Sequence, residues 1–265
     1  MIDAIIFSKN RACQLHLLLE SIERFTNLFN NLFIIFYSDP EFEKGYNKIK
    51  EYSSKYNWIQ QEDFKRDVLA TVKKCSDYIC FFVDDNFIHR SLLGSGCVDF
   101  VFSHYDIFTL SLRLGKNTIV QNWQTKQKTP MPSSISKTPD NDILVWDWTE
   151  MPPHTNFGYP FSVDGHIYRK DMLLEKLTYD FDTPNALEGR FPIQGISNKM
   201  ACFGHSIVVN NPINLVGSSE NWTCNQVSLE ELEKKYLEGY TIDLDKLCKN
   251  EIIACHQGMK VEFKC

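Results

Sequence analysis

Asp84, Asp85 and Asn86 stand in a row directly behind the apolar run Tyr78-Ile79-Cys80-Phe81-Phe82-Val83. Hard oxygen donors of this kind suit Mg²⁺ or Mn²⁺ and, through the metal, a phosphate-bearing substrate. Two adjacent carboxylates repel each other unless a cation neutralises them. The other reading is a solvated acidic turn, since Asp and Asn are ordinary turn residues. A second polar cluster, Ser8-Lys9-Asn10-Arg11, lies between a strand-like stretch at 2–7 and a Leu-rich stretch at 14–25. Free backbone N–H groups at a helix start favour anions. Ser8, Asn10 and Arg11 are therefore candidates for holding a nucleotide, or else belong to a surface loop with a solvated Arg. Lys65 either lines the same site or is solvated.

The elements that must position these residues are legible from periodicity. The run 78–83 reads as a strand buried on both faces. Carboxylates at its carboxyl end sit where open α/β sheets bind ligands. Residues 2–7 read as the first strand, and Leu15, Leu18, Leu19 and Ile22 recur at helical spacing after it. A second buried strand spans 32–38, followed by helical character over 41–56, a short edge strand at Trp58-Ile59 and a helix over 62–75. This β-α-β-α-(β)-α-β order predicts a parallel sheet with covering helices. Strands are also expected at 108–113, 143–148 and 207–209, with a Pro-rich polar loop at 124–141. Gly94-Ser95-Gly96 is too short for a dinucleotide fingerprint. Asp164-Gly165 is a turn signal, of a hairpin in the simplest reading. Asn185 is placed to cap a short helical turn carrying Leu187 and Glu188. Ser228 opens a helix, with Glu231 at the capping-box position. The apolar stretch Ile252-Ile253-Ala254-Cys255 is expected to present His256.

Composition narrows the function classes. The 265 residues suffice for one large α/β domain or two small ones. The net charge of −6 argues against a general nucleic-acid binder. Nine cysteines without CxxC spacing suggest reduced, mostly buried thiols and a cytoplasmic protein. No segment approaches the roughly 20 apolar residues of a transmembrane span, and the first residues lack a signal-peptide pattern. Asn221-Trp222-Thr223 fits a glycosylation sequon, read here as coincidence.

Three stretches resemble the GT-A fold glycosyltransferases of the family 2-like grouping. They are Ile5-Ile6-Phe7-Ser8-Lys9-Asn10-Arg11-Ala12 with the Leu-rich helix, Phe81-Phe82-Val83-Asp84-Asp85-Asn86, and the stretch running from Pro160 through the acceptor-side segment Val163-Asp164-Gly165-His166 to Pro184-Asn185-Ala186-Leu187-Glu188. The resemblance implies a single GT-A-like α/β domain over 1–265, with a Rossmann-like, mostly parallel sheet. Residues 1–120 would form the nucleotide-sugar half and 121–265 a mixed, acceptor-binding half. It implies metal-dependent transfer of a sugar from a UDP- or GDP-linked donor to a glycan or other hydroxyl acceptor, with inversion and a carboxylate base. Ser8, Asn10, Arg11, Lys65 and Asp84 would bind the donor. Mn²⁺ or Mg²⁺ would be held among Asp84, Asp85, Asn86 and His256. The third position of the Asp-x-Asp motif is Asn here, so either Asp84 and Asn86 fill the outer positions or Asp85 is the main ligand. Glu188 is the first choice of base and Asp164 the second. Trp123, Trp146, Trp148 and Trp222 are candidates for stacking on sugars. Two alternatives stand beside this reading. A sugar nucleotidyltransferase should carry a Gly-rich loop after the first strand, which this chain lacks. A non-catalytic carbohydrate- or nucleotide-binding protein would tolerate the Asn.

Overall fold

The computed structural model describes residues 1–94, 96–104, 106–133, 135–137, 143–216, 222–224 and 226–265. The first part of the chain runs β1 (Ile2–Lys9), α1 (Ala12–Phe25), β2 (Phe29–Tyr37), α2 (Glu43–Tyr52), β3 (Asn57–Gln60), α3 (Phe64–Lys74) and β4 (Tyr78–Val83). The second part runs β5 (Asn86–Ile88), α4 (Gly96–His104), β6 (Thr109–Ser111), β7 (Val120–Asn122), β8 (Gln127–Lys128), β9 (Ser136–Lys137), β10 (Ile143–Asp147), β11 (His166–Arg169), α5 (Lys170–Lys176), α6 (Pro184–Gly189), β12 (Lys199–Phe203), β13 (Val208–Asn210) and α7 (Leu229–Leu237). Nine strands form the main sheet in the order β3-β2-β1-β4-β11-β6-β12-β10-β9. The first four are parallel, as helical crossovers require. β11 and β10 run against the general direction.

The central pair shows why both runs are largely apolar. Ile5 is level with Phe81 and Ile6 with Phe82, and side chains alternate across a sheet. Ile6 and Phe82 pack with Leu15, Leu18, Leu19 and Ile22 of α1 on one face. Ile5, Phe7 and Phe81 pack with Phe64, Val68 and Val72 of α3 on the other. A strand covered on both faces cannot alternate polar and apolar residues. Asp3 near the start of β1 is the exception, its buried carboxylate accepting from Asn31 and Ser76 N; at the other end, polar side chains appear where β1 and β4 leave the sandwich, and those are Ser8, Asp84 and Asp85.

Several boundaries differ from expectation for local reasons. Pro40–Phe42 form a 3-10 turn, so α2 starts later than residue 41. The strand expected at 108–113 is limited to Thr109–Ser111. Thr183, not Asn185, caps α6: its Oγ1 accepts from Ala186 N at 3.1 Å, and Pro184 takes the first helical position. Ser228 caps α7 as expected. The expected 124–141 loop contains β8 and β9; its residues 134 and 138–141 lie outside the described residues, as do Ser95 and Asn221. No described helix is long and apolar enough to cross a membrane.

Asp164-Gly165 does not close a hairpin. It is the sharp turn into β11, which pairs with β4 and β6. Gly165 has φ +65°, and an added Cβ would lie 3.2 Å from Val208 Cβ. Left-handed backbone costs an L residue roughly 1–2 kcal/mol. Gly165→Ala is expected to lower unfolding free energy by at least about that amount, read from the urea midpoint. An unchanged midpoint would contradict the strain at this turn.

Candidate active site

The carboxyl ends of β1 and β4 bring Ser8, Arg11, Asp84 and Asp85 together around one guanidinium. Arg11 Nη1 lies 3.0 Å from Asp84 Oδ1 and 2.6 Å from Asp85 Oδ2. Its other edge is held by Asn214: Nε donates to Asn214 Oδ1 at 3.0 Å, and Nη2 donates to the Asn214 carbonyl. The remaining carboxylate oxygens are also met. Lys9 N–H donates to Asp84 Oδ2 at 3.0 Å, and Gln14 Nε2 to Asp85 Oδ1 at 2.7 Å. Burial raises the Asp85 carboxyl to about 7 against the pull of Arg11, and the charge of Asp84 adds to the rise. Ser8 Oγ is 2.6 Å from the Tyr46 hydroxyl.

A second buried cluster centres on Asp164. Asn86 Nδ2 and Asn210 Nδ2 donate to its Oδ1 at 3.1 and 3.2 Å. Arg113 Nη1 and His256 Nε2 meet its Oδ2 at 3.1 and 2.9 Å. The three donors Asn86, Asn210 and His256 come from one row of strand register. Asn210 is level with Asn86 across the β13–β5 pair and with His256 across an isolated parallel bridge. Neighbouring strands lie roughly 4.8 Å apart, so one carboxylate collects all three. Burial alone would raise the Asp164 carboxyl. The hydrogen bond and charge of His256, the Arg113 guanidinium and the Asn86 amide instead hold it well below the usual range.

Both clusters open onto a cleft of about 850 Å³, lined among others by Ser8, Lys9, Arg11, Asp84, Asp85, Asp164, Glu188 and His256. That is within the range of small-molecule sites, roughly 300–1,000 Å³. Glu188 reaches it from α6. Its Oε2 accepts from Val163 N at 2.7 Å and from Ser162 Oγ at 3.1 Å. Burial, then the charge of Asp164, raises the Glu188 carboxyl, opposed by Arg113 and the two hydrogen bonds. Arg190 donates instead to the Asp180 carbonyl, so it does not pair with Glu188. Trp123 and Trp222 also line the cleft, and a Cβ at Gly258 would fall 3.0 Å from Trp222 and 3.3 Å from Trp123. A side chain at this position would crowd both indoles.

Of the candidate residues, Ser8, Arg11, Asp84, Asp85, Asp164, Glu188 and His256 line this one cleft. Asn10 does not. Its backbone is left-handed, φ +56°, and its amide exchanges hydrogen bonds with Asp39 at 2.6 and 2.8 Å, tying the ends of β1 and β2. Lys65 pairs with Asp180 at 2.7 Å in an adjoining cleft. Asn86 is fully buried, its Oδ1 accepting from Val83 N and its Nδ2 spent on Asp164. Trp146 is core, with Nε1 donating to the Phe157 carbonyl, and Trp148 donates to the Ser197 carbonyl. Arg113, Asn210 and Asn214 received no role from the sequence. Arg113 carried a usable signal, a charge at the end of an expected strand. The two asparagines carried none.

As a centre for Mn²⁺ or Mg²⁺ the residues do not fit with Arg11 in place. Each oxygen of Asp84 and Asp85 already has a protein donor. Asn86 is turned inward, and His256 Nε2 is taken by Asp164. Among the described residues, no three His, Cys, Asp or Glu side chains are grouped to hold a metal ion.

No protein-family model and no curated protein sequence matches the chain. Solved structures do. The crystal structure of S. aureus TarS shares 13% identity at a TM-score of 0.50, over 78% of this chain and 36% of that one. The crystal structure of its 1–349 portion in complex with UDP-GlcNAc shares 11% identity at a TM-score of 0.46, over 85% of this chain and 62% of that one. The chain thus spans about a third of the full TarS chain. At such identities the likeness is one of fold, and it agrees with the GT-A arrangement expected from the sequence.

Proposed function

We propose that this protein is a glycosyltransferase that moves a sugar from a UDP- or GDP-linked donor to a glycan or other hydroxyl acceptor. The observation that carries the reading is the placement of Glu188 and the Arg11–Asp84–Asp85 cluster on one cleft at the carboxyl ends of β1 and β4. Open α/β sheets bind ligands at that edge. The donor half, 1–120, supplies Ser8, Lys9 and Arg11 for the nucleotide and its diphosphate. Asp84 faces the ribose or the donor sugar. Trp123 and Trp222, from the half 121–265, offer flat faces for a sugar ring.

Glu188 is the base. The acceptor oxygen attacks the anomeric carbon, Glu188 takes the hydroxyl proton, and the bond to the β-phosphate oxygen breaks. Its electron pair leaves with the nucleoside diphosphate, and the anomeric centre inverts. Asp164 is the poorer candidate. A carboxylate already accepting from Asn86, Asn210, Arg113 and His256 has little basicity left for a substrate. Asp164 positions instead, holding His256 at the cleft.

The pH profile separates the two carboxylates. Glu188 faces Asp164, Arg113, Tyr159 and the N–H of Val163. Its raised pKa means the base form is gained as pH rises through a value above the ordinary Glu range of about 4.3. The acid limb of kcat/KM is expected there. A limb at or below the ordinary value would point to another base.

A further inference from the structure

We infer that Arg11 is the resident cation of this cleft, and that nucleoside diphosphate binds here without a divalent metal. The inference rests on the nucleotide-sugar reading and concerns how that same site handles charge. A bridging metal would sit between the facing oxygens of Asp84 and Asp85. Arg11 Nη1 occupies that place, at 3.0 and 2.6 Å from them.

The guanidinium is not a loose surface group that a metal would brush aside. Its side chain is 10% exposed, and Asn214 grips the edge opposite the carboxylates through both its amide oxygen and its carbonyl. Expelling it would leave a buried charge unpaired, the costly way to break a buried ion pair. The groups that could complete a metal shell are committed as well. Asn86 is locked between Val83 N and Asp164, and Gln14 already serves Asp85.

What meets the diphosphate is then what the cluster leaves free. One Nη2 hydrogen of Arg11 has no partner among these bonds. Lys9 stands on the same wall of the cleft. Arg11 performs for the protein what a metal would perform on two strand-end acids. It offsets part of their repulsion and fixes them in one geometry.

The test reads metal and nucleotide separately. Mn²⁺ binding is followed by electron paramagnetic resonance on the nucleotide-free protein. UDP and GDP affinities are measured by calorimetry, in EDTA and in Mn²⁺. Wild type is expected to show no Mn²⁺ site and to bind nucleotide with an affinity that Mn²⁺ changes less than about twofold. Arg11→Ala uncovers the two carboxylates and is expected to gain Mn²⁺ binding, with nucleotide affinity now raised about tenfold or more by the metal. Arg11→Lys keeps a cation and is expected to stay metal-independent, which serves if the alanine variant does not fold. A wild-type affinity that rises about tenfold with Mn²⁺ overturns the inference and leaves the transferase reading standing. Failure to bind either nucleotide under both conditions overturns both.

Discussion

Glu188→Gln is expected to lower turnover by about 10²–10⁴-fold, the usual contribution of general base catalysis, with nucleotide affinity nearly unchanged. The substitution is close to isosteric. A glutamine oxygen can still accept from Val163 N–H and the Ser162 hydroxyl, which hold the carboxylate now. What it cannot do is take a proton from the acceptor. Steady-state turnover, with calorimetry for the nucleotide, separates loss of the base from loss of the site. Turnover within a few fold of wild type would remove Glu188 from the chemistry.

Asp164→Ala is expected to destabilise the fold by about 3–5 kcal/mol, as when one partner of a buried ion pair is deleted. Arg113 would keep a buried charge with its strongest partner gone, and its Nε already lacks a hydrogen-bond partner. Asn86 and Asn210 would lose an acceptor in the same step. The pH dependence has a definite sign. The Asp164 carboxyl lies below its unfolded value, so its stabilisation is full above that value, about 3.9, and is lost as pH falls through the folded one. The gap between wild type and variant in urea unfolding should be constant near neutral pH and shrink in acid. An alanine variant that unfolds at the wild-type midpoint would show that Asp164 does not organise this region.

Much of the fold was legible because β1 and β4 are covered on both faces. Two-sided burial writes an apolar run into the sequence, broken in β1 by Asp3 near its start, and the run ends where the chain reaches the site. That logic located Ser8, Arg11, Asp84 and Asp85 and set them at one sheet edge. It did not reveal that Arg11 bridges the two acids, because Asn214 fixes the guanidinium from a loop far along the chain. Nor did it separate Asn86 from its acidic neighbours. Asn86 turns inward because β5 pairs with β13, a contact between residues more than a hundred positions apart. The same pairing sets Asn210 and His256 in register and converts Asp164 from a candidate base into a hub. Thr183 rather than Asn185 caps α6 because Pro184 takes the first helical position. Local pattern reports what a residue is next to in sequence, and these roles are set by what it is next to across strands.

The most direct measurement of the transferase reading is release of nucleoside diphosphate from a panel of UDP- and GDP-linked sugars, with water or added glycans as acceptor. Wild type is predicted to release the nucleotide from at least one donor, and Glu188→Gln to do so at a small fraction of that rate. A folded wild-type protein that neither binds nor cleaves any donor in the panel would contradict the reading.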